Sequence, residues 1–450
     1  MKNNLALMAD FYEFTMAAAY YQNRMFAPAT FSLFIRDYPP HRGYFVSAGL
    51  EEVLEFLESF HFTQEDLDYL TTTGLFSEEF LQYLSRLKFT GNVFAIPEGR
   101  IFFKDEPILE VTAPIIEAQL VETFVINAIN LQVTLATKAA RCVYVSRGRK
   151  LVDFSLRRTQ GVDAGLKVAR ASFVAGFAST SNVLAGKLYG IPVAGTMAHS
   201  FVTSFEEEID AFRTFVRTFP GNAVLLIDTY DTLSGAHKAV KVGREMLNRG
   251  ERLLGVRLDS GDMTDLSKEV RKILKAADLG EVSIFASGAF DEYKISEVIE
   301  KGGEIDAFGV GTKMGVSADA PYTDMAYKLV QYGRRPVLKL STGKRTLVAE
   351  KQVLRIREGS NLTKDIIALR DEKAVGEPIL KTVMENGKRN LLPEPLAAIR
   401  DRFQQEFMVL GEAYKSLENP KTFPVELSPG LTELQERTVH EVREKELGES

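Results

Sequence analysis

The sequence has very little of several residue types that mark particular protein classes. Its 450 residues include one cysteine, Cys142, and no tryptophan. A single cysteine excludes an intramolecular disulfide and a cysteine-rich zinc site, and such sparse use is typical of a reducing compartment. The longest apolar candidate, residues 115–140, is interrupted by two glutamates and a lysine, and Asp10 and Glu13 come before a signal-peptide core can develop. We therefore expect a cytoplasmic protein that does not enter a membrane.

Positive charge is not in excess either. The 55 lysines and arginines are outnumbered by 61 aspartates and glutamates, which gives a net charge of −6. A mildly acidic chain has no global electrostatic reason to bind nucleic acid, so we expect no nucleic-acid partner. Hydrophobic residues (45%) and charged residues (26%) occur in the proportions of a soluble globular protein, and the length predicts two or three domains.

From residue 150 onward, the sequence does have a regular alternation of short apolar runs and amphipathic stretches of helical length. The predicted strands are residues 151–156, 191–195, 224–227, 253–258, 282–286 and 305–309. The predicted helices include residues 164–177, 206–218, 233–248, 264–277 and 292–301. Strands that alternate with helices imply right-handed crossovers and a parallel sheet in an α/β fold.

Polar residues or glycine follow the carboxyl end of nearly every predicted strand. They are Arg157, Arg158, Thr196, His199, Asp228, Asp259, Ser287, Gly311 and Thr312. A closed barrel gathers such strand ends into one ring, which is where barrel enzymes place their chemistry. The G-x-G-x-x-G turn that is typical of a doubly wound open sheet is absent after residues 151–156. We therefore predict a barrel rather than an open sheet.

The two ends of the chain lack this alternation and predict a second, non-barrel layer. The predicted elements are helices at residues 48–60, 64–71 and 78–87, a hairpin of residues 100–103 with 108–112, and antiparallel strands within residues 347–357. The charged residues 440–450 are expected to fray.

Among the five histidines, His199 has the position most suggestive of chemistry. It follows the predicted strand 191–195, and Gly195 lets the backbone turn so that the side chain faces the barrel mouth. A histidine that is hydrogen-bonded for structural reasons fits this position equally well. No second histidine or cysteine lies nearby in the sequence at metal-ligand spacing, so a zinc role is not expected.

Arg257 lies inside an otherwise apolar strand pattern. Because an unpaired charge in a core is very costly, this arginine needs a carboxylate or an anionic ligand, and its planar guanidinium suits a carboxylate. Asp259 and Asp262 are alternative internal partners, and Asp262 is also placed to cap the following helix. The segment alone leaves open both an internal ion pair and a ligand site.

Small residues follow the last two predicted strands. They are Ser287, Gly288, Gly309, Gly311 and Thr312. Glycine lets a phosphate group approach backbone N–H groups, and the late loops of barrels often bind phosphate in this way. Arg157 and Arg158 add positive charge to the same ring of strand ends. These residues predict a site for an anionic, phosphorylated small molecule.

Six stretches of the sequence form an ordered set of motifs. They are Asp10-Phe-Tyr-Glu-Phe-Thr-Met16, Leu156-Arg-Arg-Thr-Gln-Gly161, Ser179-Thr-Ser-Asn-Val-Leu-Ala-Gly186, Gly195-Thr-Met-Ala-His-Ser-Phe201, Gly255-Val-Arg-Leu-Asp-Ser-Gly-Asp262 and Gly309-Val-Gly-Thr312. Together they resemble the nicotinate phosphoribosyltransferase family, and the similarity extends to about residue 340. Such a set is far more specific than any single motif.

The resemblance implies an irregular (β/α) barrel of the type II phosphoribosyltransferases, residues 131–339, with an α/β sandwich domain built from residues 1–130 and 340–450. It also implies a homodimer with active sites at the subunit interface. The implied reaction joins nicotinate to 5-phosphoribosyl 1-pyrophosphate, giving nicotinate mononucleotide and pyrophosphate, with ATP hydrolysis coupled to turnover and Mg²⁺ as cofactor. This reaction is the first step of NAD synthesis from nicotinate.

The resemblance also implies roles for individual residues. Tyr12, Thr196 and Arg257 would hold nicotinate, with Tyr12 against the ring and Arg257 on the carboxylate. His199 matches the histidine that ATP phosphorylates, and Asp259 and Asp262 would contact ribose hydroxyls or Mg²⁺. The residues that would bind phosphoribosyl pyrophosphate are Arg157, Arg158, Ser287, Gly288, Gly309, Gly311 and Thr312, although residues 287–291 depart from the pattern of many relatives.

Two alternative functions are weighed against this one. A nicotinamide-specific or quinolinate-specific phosphoribosyltransferase is the nearest enzyme alternative, but Arg257 favours a carboxylated ring over an amide, and quinolinate would need further cations for its second carboxylate. A catalytically silent sensor of pathway metabolites is the alternative from another class. Such a sensor has no need for a histidine that can be phosphorylated, so His199 argues against it.

Overall fold

The computed structural model describes residues 5–341 and 346–448, and these residues form two compact units. The central unit is the continuous segment Leu135–Pro321. The outer unit combines the residues up to Thr134 with those from Tyr322 onward. None of the helices in the described ranges has the length and apolar character needed to cross a bilayer.

The amino-terminal part of the chain contains the first six helices and five strands. They are α1 (Phe11–Gln22), β1 (Pro28–Ile35), β2 (Phe45–Val46), α2 (Leu50–Ser59), α3 (Gln64–Thr72), α4 (Glu78–Leu84), β3 (Asn92–Ala95), β4 (Ile101–Phe102), β5 (Leu109–Pro114), α5 (Ile115–Leu120) and α6 (Glu122–Val145). Helix α3 starts at a capping box, in which the side chains of Thr63 and Asp66 each accept a hydrogen bond from the backbone N–H group of the other. The three helices predicted for this region are confirmed within a few residues.

The central part alternates strands and helices. Its elements are β6 (Lys150–Asp153), α7 (Val162–Val174), β7 (Ser179–Thr180), α8 (Val183–Tyr189), α9 (His199–Thr203), α10 (Glu208–Thr218), β8 (Val224–Leu226), α11 (Thr232–Leu247), β9 (Gly255–Leu258), α12 (Met263–Ala276), β10 (Ser283–Ala286), α13 (Glu292–Glu300), β11 (Ala307–Val310) and α14 (Thr312–Gly315). The α/β alternation and its five long helices are confirmed.

The carboxy-terminal part returns to the outer unit. Its elements are β12 (Met325–Tyr332), β13 (Arg335–Pro336), β14 (Lys351–Glu358), β15 (Asn361–Leu369), β16 (Glu377–Pro378), β17 (Lys381–Glu385), β18 (Lys388–Arg389), α15 (Leu396–Val409), α16 (Glu412–Lys415), β19 (Val425–Leu427) and α17 (Pro429–Leu447). The antiparallel strands predicted within residues 347–357 are confirmed, since β14 pairs antiparallel with β15.

The end of the chain is more ordered than its composition predicts. Residues 440–447 belong to α17, so the expectation that they fray is wrong for them; residues 449–450 lie outside the described residues. The helix is anchored at its start, where the side chain of Ser428 accepts a hydrogen bond from the Leu431 N–H group and Pro429 occupies the first turn. Because the helix is fixed at its start, it continues through the charged residues of its last turns.

The outer unit is built on a seven-stranded sheet with the order β13-β12-β1-β5-β3-β17-β18. Strand β1 pairs antiparallel with both β12 and β5, so the two ends of the chain meet in one sheet. Residues 322–339, which the sequence-based division assigned to the barrel, include β12 and therefore contribute to this sheet. A four-stranded sheet, β16-β14-β15-β19, and the pair β2-β4 complete the unit.

The hairpin predicted for residues 100–103 and 108–112 is wrong. Strand β4 pairs with β2, while β5 pairs with β1 and β3. The N–H group of Ile108 already donates to the Leu33 carbonyl at 2.7 Å, so the edge that a hairpin would use is occupied by β1. Phe102 instead stacks on Phe45 of β2, with ring centroids 5.3 Å apart.

The central unit contains a six-stranded parallel sheet with the order β7-β6-β11-β10-β9-β8. Five of its strands fall at predicted positions, but β7 was not predicted. The predicted strand 191–195 is wrong, because in this segment only Val193 forms a bridge, to Thr180. Pro192 has no N–H group for a ladder, and Val193 is 57% exposed, so the apolar run is not a buried strand.

Strand pairing among the described residues does not close this sheet into a ring. Its outer strands are β7 and β8. Between them, the side-chain amide of Asn222, just before β8, donates a hydrogen bond of 3.2 Å to the backbone carbonyl of Gly195. The sheet is therefore a parallel half-barrel rather than the closed barrel of strands that the sequence predicts. Its carboxyl ends still share one edge, because all six strands run in the same direction.

Candidate active site

The carboxyl ends of β8, β9 and β10 bring a polar cluster together. These strands are neighbours in the sheet, and Arg257 of β9 lies between Leu226 and Phe285 of the adjacent strands. Chain segments that are far apart in sequence therefore meet at the end of β9. The cluster contains Thr196, His199, Asp228, Thr229, Arg257, Asp259 and Ser287.

Arg257 is the centre of the cluster. Its Nε donates to Ser287 Oγ at 2.8 Å, its Nη1 donates to Thr196 Oγ1 and to the Met197 carbonyl at 3.1 Å each, and its Nη2 donates to Asp259 Oδ1 at 3.0 Å. The side chain is 13% exposed. Of the two aspartates that the sequence offered as internal partners of Arg257, Asp259 is therefore the one that pairs with it. One Nη2 hydrogen has no acceptor among the described residues.

Aromatic packing fixes the position of this guanidinium. The Phe154 ring centroid lies 5.4 Å from the Arg257 carbon Cζ, a cation–π distance. Gly309 makes room for the ring, since a Cβ at Gly309 would lie 2.7 Å from two ring carbons of Phe154. The glycine that the sequence assigned to phosphate binding therefore has a packing reason as well.

Asp259 is held in its ionised form by its neighbours. Burial acts to raise the pKa of this carboxyl, but the hydrogen bond from Ser287 and the charge of Arg257 outweigh it and lower the pKa. Its backbone N–H donates to Asp228 Oδ2 at 2.8 Å. Gly288 has φ +104°, and a Cβ there would collide with the Asp259 carbonyl oxygen, so glycine is required at this contact.

His199 is the first residue of α9 and faces Asp259. Its Nδ1 lies 3.1 Å from Thr229 Oγ1, and its Nε2 lies 3.8 Å from Asp259 Oδ2. The imidazole is 43% exposed. It is therefore oriented by two neighbours and still reachable from solvent, which a purely structural buried histidine would not be.

Asp262 does not join the cluster through its side-chain contacts. Its Oδ1 accepts hydrogen bonds from the N–H groups of Thr264 at 2.9 Å and Asp265 at 3.1 Å, so it caps α12. This is the capping alternative that the sequence raised. Its second carboxylate oxygen is not used by the cap.

The basic pair Arg157 and Arg158 lies in a 3-10 turn directly after β6. Both residues are exposed, and within the described ranges neither side chain has a hydrogen-bond or ion-pair partner. Thr312 is also exposed, at the start of α14, and follows Gly311. These groups are free to contact a ligand at the strand ends.

Tyr12 belongs to the outer unit, where it lies on α1 with 46% of its surface exposed. Burial of the hydroxyl, the charges of Glu122 and Glu13 and a hydrogen bond with Glu122 raise the pKa of Tyr12. The hydroxyl is therefore neutral and anchored, which leaves the exposed ring as the part that can meet a ligand.

Three members of the site were given no role by sequence reasoning. Phe154 and Thr229 carry no signal in the sequence that distinguishes them from ordinary packing and loop residues. Asp228 was visible as a polar residue after a strand, but its hydrogen bonds to the backbone of Asp259 and to Ser260, at 2.8 and 2.6 Å, depend on how the strand ends meet.

The carboxylates also fit a divalent cation held mainly by a substrate. Asp228 Oδ1 is buried and has no hydrogen-bond partner among the described residues. This carboxylate oxygen, on the residue that accepts from the Asp259 N–H group, is therefore available as a metal ligand. Across the described ranges, no group of three or more His, Cys, Asp or Glu side chains is arranged to hold a metal. Mg²⁺ commonly binds through one or two carboxylates together with phosphate oxygens, so two carboxylates are sufficient for such a site.

Comparison with known proteins gives the family. Three family models match successive parts of the chain: the nicotinate phosphoribosyltransferase (NAPRTase) N-terminal domain over residues 7–130, the NAPRTase family over residues 149–341 and the C-terminal domain over residues 373–435. The chain belongs to the nicotinate phosphoribosyltransferase family. The residues that suggested the family all lie inside the first two of these matches.

Relatives within the family cover nearly the whole chain. Nicotinate phosphoribosyltransferase pncB2 of Mycobacterium tuberculosis is 47% identical over 94% of this chain and 91% of its own length. Nicotinate phosphoribosyltransferase of Bacillus subtilis is 37% identical over 98% of this chain and 97% of its own length.

Solved structures agree with this assignment. The crystal structure of human nicotinic acid phosphoribosyltransferase is similar with a TM-score of 0.85 and 28% identity, covering 96% of this chain and 99% of that one. A nicotinate-nucleotide pyrophosphorylase from Pyrococcus furiosus has a TM-score of 0.75 at 24% identity, covering 91% and 97% of the two chains, and shares the fold.

Proposed function

We propose that this chain is an ATP-coupled nicotinate phosphoribosyltransferase. It joins nicotinate to 5-phosphoribosyl 1-pyrophosphate, giving nicotinate mononucleotide and pyrophosphate, and hydrolyses ATP to ADP and phosphate through a phosphohistidine. This is the first step of NAD synthesis from nicotinate. Relatives named nicotinate phosphoribosyltransferase match nearly the whole chain, and the polar cluster at the end of β9 suits the chemistry of the proposed reaction.

The transfer itself requires charge stabilisation rather than a protein nucleophile. The pyridine nitrogen of nicotinate attacks the anomeric carbon, the bond from this carbon to the pyrophosphate oxygen breaks, and positive charge builds on the ribose ring. The protein must hold the two substrates in line and neutralise the departing pyrophosphate.

Nicotinate recognition is assigned to Arg257, Thr196 and Tyr12. The remaining Nη2 hydrogen of Arg257 is available for the nicotinate carboxylate, and Asp259 and Phe154 hold the guanidinium in place. A fixed guanidinium favours a ring carboxylate over the amide of nicotinamide. The exposed ring of Tyr12 would stack on the pyridine.

Phosphoribosyl pyrophosphate is assigned to the exposed groups around the same strand ends. Arg157 and Arg158 carry free positive charge for the pyrophosphate, and the backbone N–H groups near Ser287 and Gly288 suit the phosphate. Gly309, Gly311 and the hydroxyl of Thr312 complete the phosphate-binding set.

Mg²⁺ is the cofactor that the resemblance implies. Asp228 and Asp259 would hold it, and when bound it neutralises negative charge on pyrophosphate. The uncapped oxygen of Asp262 is left for a ribose hydroxyl.

The observation that carries the ATP-coupled part of the proposal is the setting of His199. Its ring is oriented by Thr229, faces the Asp259 carboxylate at 3.8 Å and is 43% exposed. A ring nitrogen attacks the γ-phosphorus of ATP, the bond from that phosphorus to the bridging oxygen breaks, and ADP leaves. Asp259 stabilises the positive charge that forms on the imidazole, and water later releases phosphate.

The proposal includes the larger assembly. The half-barrel belongs to the irregular barrel type of the type II phosphoribosyltransferases, and the outer unit corresponds to their α/β sandwich domain. The protein works as a cytoplasmic homodimer with shared active sites, which would bring Tyr12 of one subunit to the strand ends of another.

Product analysis with nicotinate, phosphoribosyl pyrophosphate and Mg²⁺, with and without ATP, tests the reaction. The histidine is tested by His199→Ala, for which we expect nicotinate-dependent ATP hydrolysis to vanish while a slow, ATP-independent transfer remains. His237→Ala, at an exposed residue of α11, is the matched control. Equal loss of both activities in a folded, substrate-binding variant would assign His199 to the transfer step, and intact ATP hydrolysis would make it a structural histidine.

A further inference from the structure

The outer unit contains a cavity that the proposed reaction does not use. It lies between the seven-stranded and the four-stranded sheet and has a volume of about 370 Å³. Most of its wall is apolar and comes from Phe34, Leu347, Ile367, Phe423 and Val425. A cavity of this size with apolar walls is typical of small-molecule sites.

A buried hydroxyl group lines this cavity without a partner. Ser32 of β1 is 1% exposed, and its Oγ has no hydrogen-bond partner among the described residues. A buried hydroxyl without a hydrogen bond is costly, so the fold gains nothing from this group as it stands. An oxygen atom of a ligand would satisfy it.

Lys351 of β14 contributes an ammonium group to the same cavity. Its Nζ donates to the Ala349 carbonyl at 2.6 Å and forms an ion pair with Glu110, whose Oε1 lies 2.9 Å away but accepts no hydrogen bond from the described residues. The ammonium therefore has an N–H without an acceptor among the residues that the structure describes. Burial lowers the pKa of Lys351 despite the charge of Glu110, so the ammonium would be stabilised by a further negative charge.

The remaining charged residues at the cavity are one lysine and one aspartate. Lys104 contributes a second cation to the lining. Asp105 lies beside it in the lining, and burial raises the pKa of this carboxyl against the opposing charge of Lys104. The lining therefore combines two lysines, one carboxyl and the Ser32 hydroxyl with an apolar wall.

We propose that this cavity binds a small monocarboxylate with an apolar tail. The carboxylate would accept hydrogen bonds from Ser32 Oγ and from a remaining N–H of Lys351, and the tail would cover Phe34, Ile367 and Phe423. Two charge-assisted hydrogen bonds fix the head group, while burial of the tail supplies most of the affinity. This site is independent of the proposed transferase reaction.

Octanoate is the probe, and its binding to the purified full-length protein is measured by titration calorimetry near pH 7. We expect saturable binding at one site per chain and clearly weaker binding of 1-octanol, which has the same tail without the charge. Absence of octanoate binding at millimolar concentration would overturn the proposal. Equal affinity for 1-octanol would overturn the carboxylate assignment.

The head-group contact is tested by Ser32→Ala. Because the hydroxyl has no partner among the described residues, its removal should leave thermal stability unchanged or raise it, while octanoate binding weakens by about tenfold. Thr134→Val is the matched control, since Thr134 Oγ1 is another buried hydroxyl without a partner among the described residues, and it does not line the cavity. Octanoate binding that is equally weakened in both variants, or unchanged in Ser32→Ala, would contradict the site.

Discussion

Two arginines that lie inside strands, Arg355 and Arg257, differ in how their charge is balanced. Arg355 of β14 is 1% exposed; its Nη2 lies 2.6 Å from Asp365 Oδ2 and its Nη1 lies 3.0 Å from Glu406 Oε2. Arg257 of β9 is 13% exposed and contacts a single carboxylate, Asp259. An arginine that two buried carboxylates neutralise serves the fold, whereas one with a single carboxylate and a spare hydrogen is left able to bind an anion.

The contrast extends to the carboxyl groups. Beside Arg355, burial and the charge of Asp365 raise the pKa of Glu106 well above its ordinary value, because two cation-facing carboxylates already balance the arginine. Beside Arg257, the pKa of Asp259 is lowered even though burial acts in the opposite direction. In the first cluster the charged form of a further carboxyl group is therefore disfavoured, whereas the second cluster has a cation with capacity for one more anion.

The largest effect on stability is expected from replacing Arg355, whose charge is balanced by two buried carboxylates. Arg355→Leu leaves Asp365 buried without its cation, while Glu406 keeps its ion pair with Arg100, and we expect this to destabilise the protein by about 3–5 kcal/mol in urea unfolding. Arg357→Leu is the control, because that side chain is 31% exposed and lies 3.5 Å or more from its carboxylates; it should cost less than about 1 kcal/mol. Equal losses of unfolding free energy in the two variants would show that Arg355 is no more important for stability than a partly exposed arginine.

The next effect is on catalysis rather than on stability. Arg257→Ala should lose about 2–5 kcal/mol of transition-state stabilisation, measured as kcat/KM for nicotinate, if the ring carboxylate is its desolvated partner. Arg252→Ala, at an exposed residue just before β9, should change neither stability nor kinetics. An unchanged specificity constant for nicotinate in folded Arg257→Ala protein would show that this arginine, like Arg355, is structural.

A third kind of buried carboxyl sharpens the comparison, because it has no cation at all within the described residues. Glu13 of α1 is fully buried, and its Oε1 accepts hydrogen bonds from the N–H and hydroxyl groups of Thr123. Burial raises the pKa of Glu13 from 4.5 to about 7, against the effect of these hydrogen bonds. The folded state therefore binds more protons than the unfolded state between these pH values, and stability falls as pH rises through this window.

We expect the free energy of unfolding to fall by up to about 3 kcal/mol between pH 4.5 and 7. The Glu13→Gln substitution should abolish this pH dependence of stability. Unfolding titrations at several pH values measure it, with Glu55→Gln, at an exposed residue of α2, as the control. A Glu13→Gln variant that keeps the pH slope of the parent would assign the slope to other groups.

The smallest effect tests whether nicotinate recognition depends on the arginine alone. Tyr12→Leu should weaken nicotinate binding by about 0.5–1.5 kcal/mol, seen as a raised KM for nicotinate, because an aromatic contact adds this much beyond simple burial. Tyr69→Leu, at a tyrosine of α3 that is 62% exposed, is the control. If KM is the same in both variants, Tyr12 has no part in ring binding.

The central sheet could be predicted from sequence because its strands are short apolar runs, buried on both faces, that alternate with amphipathic helices. The failures have local physical causes. Residues 191–195 have the apolar composition of a strand, but Pro192 cannot complete a ladder and Val193 remains exposed. The predicted hairpin failed because β5 finds its partner in β1, a long-range choice that a local turn does not encode.

The candidate site could be predicted only where its contacts join residues that are close together in the sequence. The need of Arg257 for an anionic partner followed from its strand, and Asp259, two residues away, meets it. The contribution of Asp228 depends on two strand ends meeting across the sheet, so no spacing in the sequence reveals it. The glycine at 288 was read as a phosphate contact, yet its backbone conformation and its contact with Asp259 already require glycine.

The seven-stranded sheet has a consequence for the order in which the protein is made. Strands β1, β3 and β5 leave the ribosome early, whereas their partners β12 and β17 follow only after the whole central unit has been synthesised. At ordinary elongation rates this interval is on the order of tens of seconds. During that time one edge of β1 presents unpaired N–H and C=O groups that attract other strands. The outer unit is therefore the last part of the nascent chain to be completed, and the β1 edge is where a stalled or truncated chain is most open to mispairing.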